Sequence, residues 1–426
     1  MSRPLEIFEI MALADKVGAS DVHLAPGRRP TFRIDGEVER QSDWEALTAE
    51  QSERLLYSIL RDDQRKELDE RWEIDISYAL QLPGHSVRFR INMFRQNLGL
   101  AAVFRLIPDK ILTPEQIDLE PAIMDLTRIP RGLVLVTGPT GSGKTTTLAT
   151  MLDEINRTRK DHILTIEDPI EFVHPERSCV VSQRELHAHT QSFANALRSA
   201  LREDPDVILV GEMRDLETIS LALTAAETGH LVFATLHTTD AAQTVDRVID
   251  VFPPAQQEMV RTQLGSVLRA VVCQTLMHRA TGKGRVAGRE IMLANPAIST
   301  LIRENQTQKL YSTMAMGIKE GQCPLEYSLA CKIREGVLRY SAALEKANRP
   351  SSLVEYLRGF GLNVDKLIDM EAMSPEEYSR FAATNKAQNA SAAGSGKNRE
   401  GSPRGEESRG SYVRTASVPD TSASPW

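Results

Sequence analysis

The chain has 426 residues, enough for two or three domains, with 41% apolar and 26% charged residues, as in ordinary globular proteins. Its formal net charge of −7 argues against nucleic acid as the main partner. No apolar run is long enough to span a membrane, and the N-terminus lacks the apolar core of a signal peptide. We therefore expect a cytoplasmic protein without a transmembrane segment.

Short amphipathic patterns fill the first quarter of the chain. Residues 4–17 predict a helix with Val17 on its buried face, and Thr48 and Gln51 form the capping box of a second helix. Alternating apolar residues predict strands at 20–24, 72–78, 87–93 and 100–106, and a hairpin at 31–38. These elements predict a small α+β domain with an antiparallel sheet over residues 1–107.

Arginines lie on the polar faces of two of these strands. Arg88 and Arg90 share one face, and Arg105 lies in the following strand. Such a face is usually the solvated side of a sheet. The alternative is a basic patch that meets a phosphate held by a neighbouring subunit, and spacing alone favours the solvated face.

The pattern changes in the next part of the chain, residues 122–296. Four apolar runs suited to a parallel sheet alternate with helical segments, at 133–136, 163–166, 207–210 and 231–234. This alternation predicts an α/β, RecA-like P-loop ATPase domain. The remaining segments are predicted to be a linker over 108–121 with a helix starting at Thr113-Pro114, a helix over 253–276, a helical region over 297–381 and a disordered tail over 382–426.

The first apolar run is followed by GPTGSGKT, a full G-x-x-x-x-G-K-T motif. Its glycines allow backbone N–H groups to close around phosphate oxygens, and the next helix adds its positive end. Lys144 would reach the β- and γ-phosphates, and the Thr145 hydroxyl would ligate Mg²⁺. The predicted nucleotide-binding residues are Gly138, Pro139, Thr140, Gly141, Ser142, Gly143, Lys144, Thr145 and Thr146. We therefore expect ATP and Mg²⁺ as cofactors and ATP hydrolysis as the reaction.

Carboxylates follow the second and third apolar runs. Glu167, Asp168 and Glu171 lie in IEDPIE, where they could organise Mg²⁺ or a water, or could equally cap a helix and carry surface charge. Gly211 and Glu212 follow the third run, with Gly211 at the usual Asp position of a Walker B motif. Glu212 is therefore predicted to position or activate the attacking water.

Histidines flank the fourth apolar run. His230 precedes it and His237 follows it. Either could sense a γ-phosphate or bridge to a neighbouring subunit, although a lone histidine is usually structural.

Taken together, these motifs resemble the secretion-superfamily ATPases, most closely the PilT-type retraction ATPases of type IV pili. The matching segments are SDVHL at 20–24, RIDGEV at 33–38, RFRIN at 88–92, VFRLIP at 103–108, GPTGSGKTTTLA at 138–149, TIEDPIEFVH at 165–174, ALREDPDVILVGEMRD at 200–215 and ETGHLVFATLHT at 227–238. The resemblance implies a homohexameric ring, with the nucleotide between a PAS-like N-terminal domain and the RecA-like domain.

The same resemblance implies functional roles for individual residues. Arg90 and Arg105 would reach the phosphates, and Glu171 and Glu212 would be catalytic acids beside Lys144. The implied motor and sensor residues are His230, His237, Glu167 and Asp168. The ring would turn an inner-membrane pilus platform protein and so draw the pilin filament back indirectly, which places it in the cytoplasm at the membrane face of the pilus base.

Two features of the sequence bear on the direction of work. Assembly-type relatives carry C-x-x-C pairs that bind zinc, whereas Cys179, Cys273, Cys323 and Cys331 form no such pair and are expected to be free thiols. Residues 297–304 read AISTLIRE, a variant of the AIRNLIRE-like motif of retraction ATPases. Retraction is therefore favoured over a pilus-assembly or type II secretion ATPase. An accessory retraction paralogue, a weakly hydrolysing ring subunit and a nucleic-acid motor complete the alternatives.

Overall fold

The computed structural model describes residues 5–34, 37–83, 85–107, 110–282 and 284–378. The tail predicted over 382–426 lies outside the described residues. Two β-sheets and a helical C-terminal region make up the described chain.

The N-terminal part is built around a six-stranded antiparallel sheet in the order β3-β2-β1-β6-β5-β4. Its elements are α1 (Ile7–Lys16), β1 (Asp21–Leu24), β2 (Thr31–Ile34), β3 (Glu37–Arg40), α2 (Ala49–Tyr57), α3 (Asp62–Arg71), β4 (Glu73–Leu82), β5 (His85–Gln96) and β6 (Gly99–Ile107). Alternate residues of β5, among them Phe89 and Ile91, are fully buried against the helices.

Most N-terminal predictions are confirmed, including the capping box of Thr48 and Gln51 at the start of α2. Val17 was placed wrongly, because α1 ends at Lys16 and the Val17 side chain is 39% exposed. The highly charged helix α3 was not predicted, because Leu68 is its one buried residue and it lacks an apolar stripe.

The second sheet has seven strands in the order β13-β12-β7-β11-β10-β8-β9. Its elements are α4 (Pro121–Asp125), β7 (Gly132–Thr137), α5 (Lys144–Thr158), β8 (His162–Glu167), β9 (Val180–Glu185), α6 (Phe193–Ala200), β10 (Val207–Val210), α7 (Leu216–Glu227), β11 (Leu231–Leu236), α8 (Ala241–Asp250), α9 (Pro254–Val267), β12 (Leu268–His278) and β13 (Arg285–Leu293). The four predicted apolar runs are all buried parallel strands, and hydrophobic clusters cover both faces.

Two sequence predictions in this region are wrong. The helix predicted over 253–276 ends at Val267, and Leu268–His278 instead pairs with β7 and β13 as a strand. Its apolar, β-branched residues fit a strand buried between two neighbours. Thr113-Pro114 begins a series of turns in which the Leu119 N–H donates to the Pro114 carbonyl oxygen, and no helix forms there.

The C-terminal region is helical, as predicted. It comprises α10 (Pro296–Arg303), α11 (Leu310–Met316), α12 (Leu325–Arg334), α13 (Tyr340–Lys346), α14 (Pro350–Gly359) and α15 (Val364–Asp369). Helix α12 lies so close to β13 that a Cβ on Gly288 would come within 2.9 Å of the Leu329 side chain. None of the described helices combines the length and apolar character needed to cross a membrane.

Candidate functional site

The glycine-rich loop between β7 and α5 is shaped to receive an anion. Gly138 has φ of 135°, and a Cβ there would lie 2.2 Å from the Gln274 carbonyl oxygen, so no other residue fits. The Thr147 N–H donates to the Gly143 carbonyl oxygen, and the three preceding N–H groups of α5 have no intrahelical acceptor. These groups and the helix dipole provide the phosphate site that the motif predicts.

Lys144 is the first residue of α5 and bends back over the loop. Its Nζ donates to the carbonyl oxygens of Gly138 at 2.8 Å and Pro139 at 3.2 Å. Burial lowers the pKa of Lys144, while the negative charges of Glu212 and Glu171 oppose that shift. The structure therefore brings the three predicted catalytic residues within electrostatic reach of one another.

Glu212 lies just beyond the carboxyl end of β10. Its carboxylate pairs with Arg214 at 2.7 Å and with His237 Nε2 at 3.1 Å. Burial raises the pKa of Glu212, but the hydrogen bond and charge of Arg214 and the charge of His237 outweigh it and leave the pKa below its ordinary value. An ionised carboxylate that can accept a proton is thus held at the strand end.

Gly211 explains why the usual Walker B aspartate is missing. A Cβ at this position would lie 3.0 Å from the Ile166 carbonyl oxygen and 3.2 Å from Glu167 Cα, because β10 and β8 run close together. The carboxylate at this strand end is therefore carried by the next residue, Glu212.

The three acids of IEDPIE divide into two groups. Glu167 is buried at the end of β8 and accepts hydrogen bonds from Thr165 Oγ1 at 2.6 Å and Gln183 Nε2 at 3.2 Å. Burial raises its pKa to about 7. Asp168 and Glu171 are exposed. Glu167 therefore anchors the segment internally, and the other two carboxylates face outward.

The two histidines lie at opposite ends of strand β11. His230 precedes β11, its backbone oxygen accepts from Gly132 N, and its Nδ1 lies 2.8 Å from the Ala225 carbonyl oxygen. Six strand residues, about 20 Å of extended chain, separate it from His237. His230 therefore lies at the end of β11 opposite to His237 and the glycine-rich loop, and its predicted roles as a sensor or at a subunit boundary stay predictions.

The arginines expected at the phosphates face outward from the N-terminal sheet. Arg90 and Arg105 lie opposite each other on β5 and β6. Arg105 Nε donates to Asp21 Oδ1 at 3.0 Å with its side chain 71% exposed, and Arg90 lies 3.9 Å from Asp75 with 47% exposed. Within the described residues, neither forms a hydrogen bond or ion pair with the glycine-rich loop.

Arg88, given no role from its spacing, makes the link between the two sheets. Its Nη2 lies 3.4 Å from Glu185 Oε2, and that carboxylate oxygen also accepts the Ile170 N–H of the acidic segment at 3.2 Å. The N-terminal sheet thus contacts the segment carrying Glu171. Sequence reasoning missed this contact because Glu185 lies in β9, which has no apolar run.

Gln274 is a second residue that sequence reasoning missed. It is 4% exposed, donates from Nε2 to the Ser142 carbonyl oxygen at 2.6 Å and accepts from Thr147 Oγ1 at 2.9 Å. It therefore supports the glycine-rich loop from β12. The signal was a polar residue inside the apolar run VVCQTLM, which the helical interpretation of that run concealed.

The described residues contain no cluster of three or more His, Cys, Asp or Glu side chains suited to a metal ion. A Mg²⁺ ion would therefore depend on the Thr145 hydroxyl at the start of α5, on phosphate oxygens and on water, an arrangement that Mg²⁺ commonly adopts. The donor set fits a metal that arrives with the nucleotide, and a part for IEDPIE in organising the metal or a water stays a prediction.

Comparison with known proteins assigns this chain to a family. Residues 5–335 match the family model described as Type II/IV secretion system protein. This chain belongs to that family. Among curated members of the secretion family, it is 52% identical over 348 residues to the type IV pilus retraction ATPase PilT of Pseudomonas aeruginosa, covering 82% of this chain and 100% of the relative.

Two further relatives agree. A protein of Neisseria gonorrhoeae named twitching motility protein is 51% identical over 324 residues, covering 76% of this chain and 86% of the relative. The crystal structure of the pilus retraction motor PilT with bound ADP superposes with a TM-score of 0.77 at 45% identity, covering 82% of this chain and 99% of that chain. The predicted family and ATPase fold are confirmed, and the PAS-like character of the N-terminal domain stays a prediction.

Proposed function

We propose that this chain is an ATP-hydrolysing motor that powers type IV pilus retraction and twitching motility. The observation that carries the proposal is the convergence of Lys144, Glu212 and Glu171 at the carboxyl ends of one parallel sheet. A relative named as a retraction ATPase matches this chain over the relative's full length, and this match supports pilus retraction as the function.

In the proposed reaction, the N–H groups of the glycine-rich loop bind the phosphates of ATP, and Lys144 neutralises charge that develops on the transferred phosphoryl group. Ionised Glu212 orients a water in line with the γ-phosphate and accepts its proton. Mg²⁺, held through Thr145, supplies further charge neutralisation when bound. His237 and Arg214 fix the rotamer of Glu212 and hold it ionised.

The remaining parts of the proposal concern the assembly. We propose a domain division at 1–107, 108–121, 122–296, 297–381 and 382–426, and a homohexameric ring in which Arg90 and Arg105 reach the phosphates of a neighbouring subunit. Their exposure and the outward face of their sheet support this arrangement. The proposed partner is an inner-membrane platform protein at the cytoplasmic base of the pilus, which acts in turn on the pilin filament.

The test is a count of surface pili, with a surface-motility assay, in a strain that lacks this gene. The strain is complemented with the parent gene, with Glu212→Gln, or with Glu258→Gln as a control on an exposed glutamate of α9. We expect excess pili and lost motility in the deletion strain, reversed by the parent and the control but not by Glu212→Gln. Absent pili would reverse the direction to assembly. Normal pili and motility would indicate an accessory paralogue or a secretion ATPase.

A further inference from the structure

A buried charge lies close to the nucleotide loop without taking part in the proposed reaction. Arg289 of β13 is 1% exposed. Burying a guanidinium is costly unless its N–H groups find acceptors. The acceptors are Gln274 Oε1 at 3.1 Å, the Asp118 carbonyl oxygen and Glu120 Oε2 at 2.8 Å each, and the Ile117 carbonyl oxygen at 3.0 Å. Three of these four bonds go to the segment that joins the two sheets.

That segment is held in an uncommon conformation. Asp118 has φ of 48°, in the left-handed region that residues other than glycine rarely adopt. Its carboxylate is also held by Arg279 Nη2 at 2.9 Å. Two arginines from the β12–β13 hairpin thus fasten one turn of the linker, with its carbonyl groups directed at Arg289.

Gln274 occupies the other end of the connection. Its side-chain oxygen accepts from both Thr147 and Arg289, which uses both lone pairs, and its nitrogen donates to the Ser142 carbonyl oxygen. Gln274 therefore connects the loop to Arg289, and Arg289 connects Gln274 to the linker. A shift of the Ser142 carbonyl group must be accommodated by Gln274 and so by Arg289.

We propose that Gln274 and Arg289 are positioning residues that couple nucleotide binding in the glycine-rich loop to the conformation of linker residues 117–120. The linker connects to β6, which carries Arg105, so the pair ties loop occupancy to the domain that supplies the outward-facing arginines. Coupling is reciprocal, so a change in the linker must alter nucleotide affinity by the same factor. This inference rests on the nucleotide binding proposed above.

The first test measures hydrogen exchange of residues 115–121 in the full-length protein with and without ADP. The Leu119 N–H, bonded to the Pro114 carbonyl oxygen at 2.9 Å, reports opening of the turn. We expect ADP to slow this exchange at least about fivefold in the parent and to leave it unchanged in Gln274→Met. ADP binding without a change in linker exchange would overturn the coupling alone. Failure of the parent to bind ADP would overturn both the coupling and the proposed function.

The second test measures ADP affinity in a double-mutant cycle of Glu120→Gln and Gln274→Met. Glu120→Gln weakens the ion pair with Arg289 from the linker side, and we expect it to change ADP affinity about fivefold in the parent but less than about twofold in Gln274→Met. Glu115→Gln, an exposed linker glutamate outside this network, is the control and should leave affinity unchanged. Equal effects of Glu120→Gln in both backgrounds would show that the linker does not reach the glycine-rich loop through Gln274, and would overturn the proposed coupling.

If Gln274→Met does not fold, the comparison of Glu120→Gln with Glu115→Gln still tests whether the linker is coupled to nucleotide binding. A purely structural ion pair at the linker would lower the melting temperature while ADP affinity and the exchange response stayed at parent values. Loss of the exchange response in Glu120→Gln, with parent behaviour in Glu115→Gln, is the result that the coupling requires.

Discussion

The two sheets present their functional residues in opposite ways. In the parallel sheet, Lys144, Glu212 and His237 come from three separate strand–loop junctions, and the shared strand direction gathers them at one edge. In the antiparallel sheet, Arg90 and Arg105 face each other across adjacent strands and point outward, with acids of their own sheet as partners. One sheet brings its charged side chains together within the chain, whereas the other presents exposed arginines that the proposed ring would place against a neighbouring chain.

The largest expected effect comes from the loop itself. Lys144→Ala removes the cation that is proposed to contact the phosphates, and we expect ATPase activity to fall at least about 1,000-fold, with weaker ADP binding. Steady-state ATPase assays and calorimetric ADP titration of the purified protein check this. ATPase activity within a factor of two of the parent would remove Lys144 from the site.

Glu212→Gln should greatly reduce ATP hydrolysis while leaving nucleotide affinity nearly unchanged. The amide can still bond His237 but cannot accept a proton, so we expect kcat to fall about 100-fold or more with nucleotide affinity within about threefold of the parent. Glu258→Gln serves as the control. Undiminished turnover in Glu212→Gln would show that the water is activated by another residue, with Glu171 the next candidate.

Arg105→Ala tests the contribution of the antiparallel sheet. We expect hydrolysis in the assembled ring to fall about tenfold with ADP affinity little changed, because the proposed ring places this charge at the phosphates of a neighbour. Arg95→Ala removes another half-exposed arginine of the same sheet, one that pairs with Asp69, and should have little effect. Parent activity in Arg105→Ala would restore the interpretation of that arginine as part of a solvated face.

Mixed rings sharpen the same comparison. Arg105→Ala subunits retain Glu212, and Glu212→Gln subunits retain Arg105. In the proposed ring, a site formed by Glu212 of an Arg105→Ala subunit and Arg105 of a neighbouring Glu212→Gln subunit is intact. Mixing the two variants should therefore give more activity than the average of the separate preparations. Activity equal to that average would mean that both residues act within one subunit.

A buried acid on β13, the antiparallel edge strand of the seven-stranded sheet, should affect stability rather than turnover. Glu290 is 2% exposed and accepts from the Ala241 N–H at 2.8 Å, and burial raises its pKa from 4.5 to about 7. The folded state thus keeps a proton that the unfolded chain has already released above pH 4.5, so its stability falls as pH rises toward 7.

We expect Glu290→Gln to remove this penalty. The free energy of unfolding of the variant should exceed that of the parent by up to about 3 kcal/mol at pH 8 and by little at pH 4.5, with ATPase activity within about twofold. Denaturant melts at the two pH values measure it. A difference that does not depend on pH would show that Glu290 ionises normally in the fold.

The smallest effect is expected from the C-terminus. Truncation after Phe381 removes the segment predicted as a disordered tail, and we expect ATPase activity and melting temperature to match those of the full chain. A large loss of either would assign residues 382–426 a part in folding or in the ring.

Sequence predicts the nucleotide half of this molecule well, because the required residues are contiguous. The loop from Gly138 to Thr145 and the acid after β10 are fixed by local chemistry, and parallel strands then bring them together. The residues that sequence reasoning missed depend on strand pairing instead. Gln274 contacts the loop only because Leu268–His278 is a strand beside β7, and the 253–276 prediction had made it helical.

Long-range polar contacts could not be predicted from the sequence for the same reason. Arg88 pairs with Glu185, which is 97 residues away in the sequence. Arg289 donates to the linker carbonyl oxygens of Ile117 and Asp118, which are more than 170 residues away. No periodicity connects such positions. His230 and His237 show the converse, since they are close in sequence but the intervening strand places them at opposite ends of β11.

The link between hydrolysis at this site and retraction is tested most directly by imaging labelled pili in living cells of the deletion strain. Cells carrying the parent gene or Glu258→Gln should extend and retract pili, whereas cells carrying Glu212→Gln should extend pili that stay out. Retraction at the parent rate in Glu212→Gln cells, with the variant protein present and free of ATPase activity, would contradict the proposal that ATP hydrolysis by this chain drives retraction.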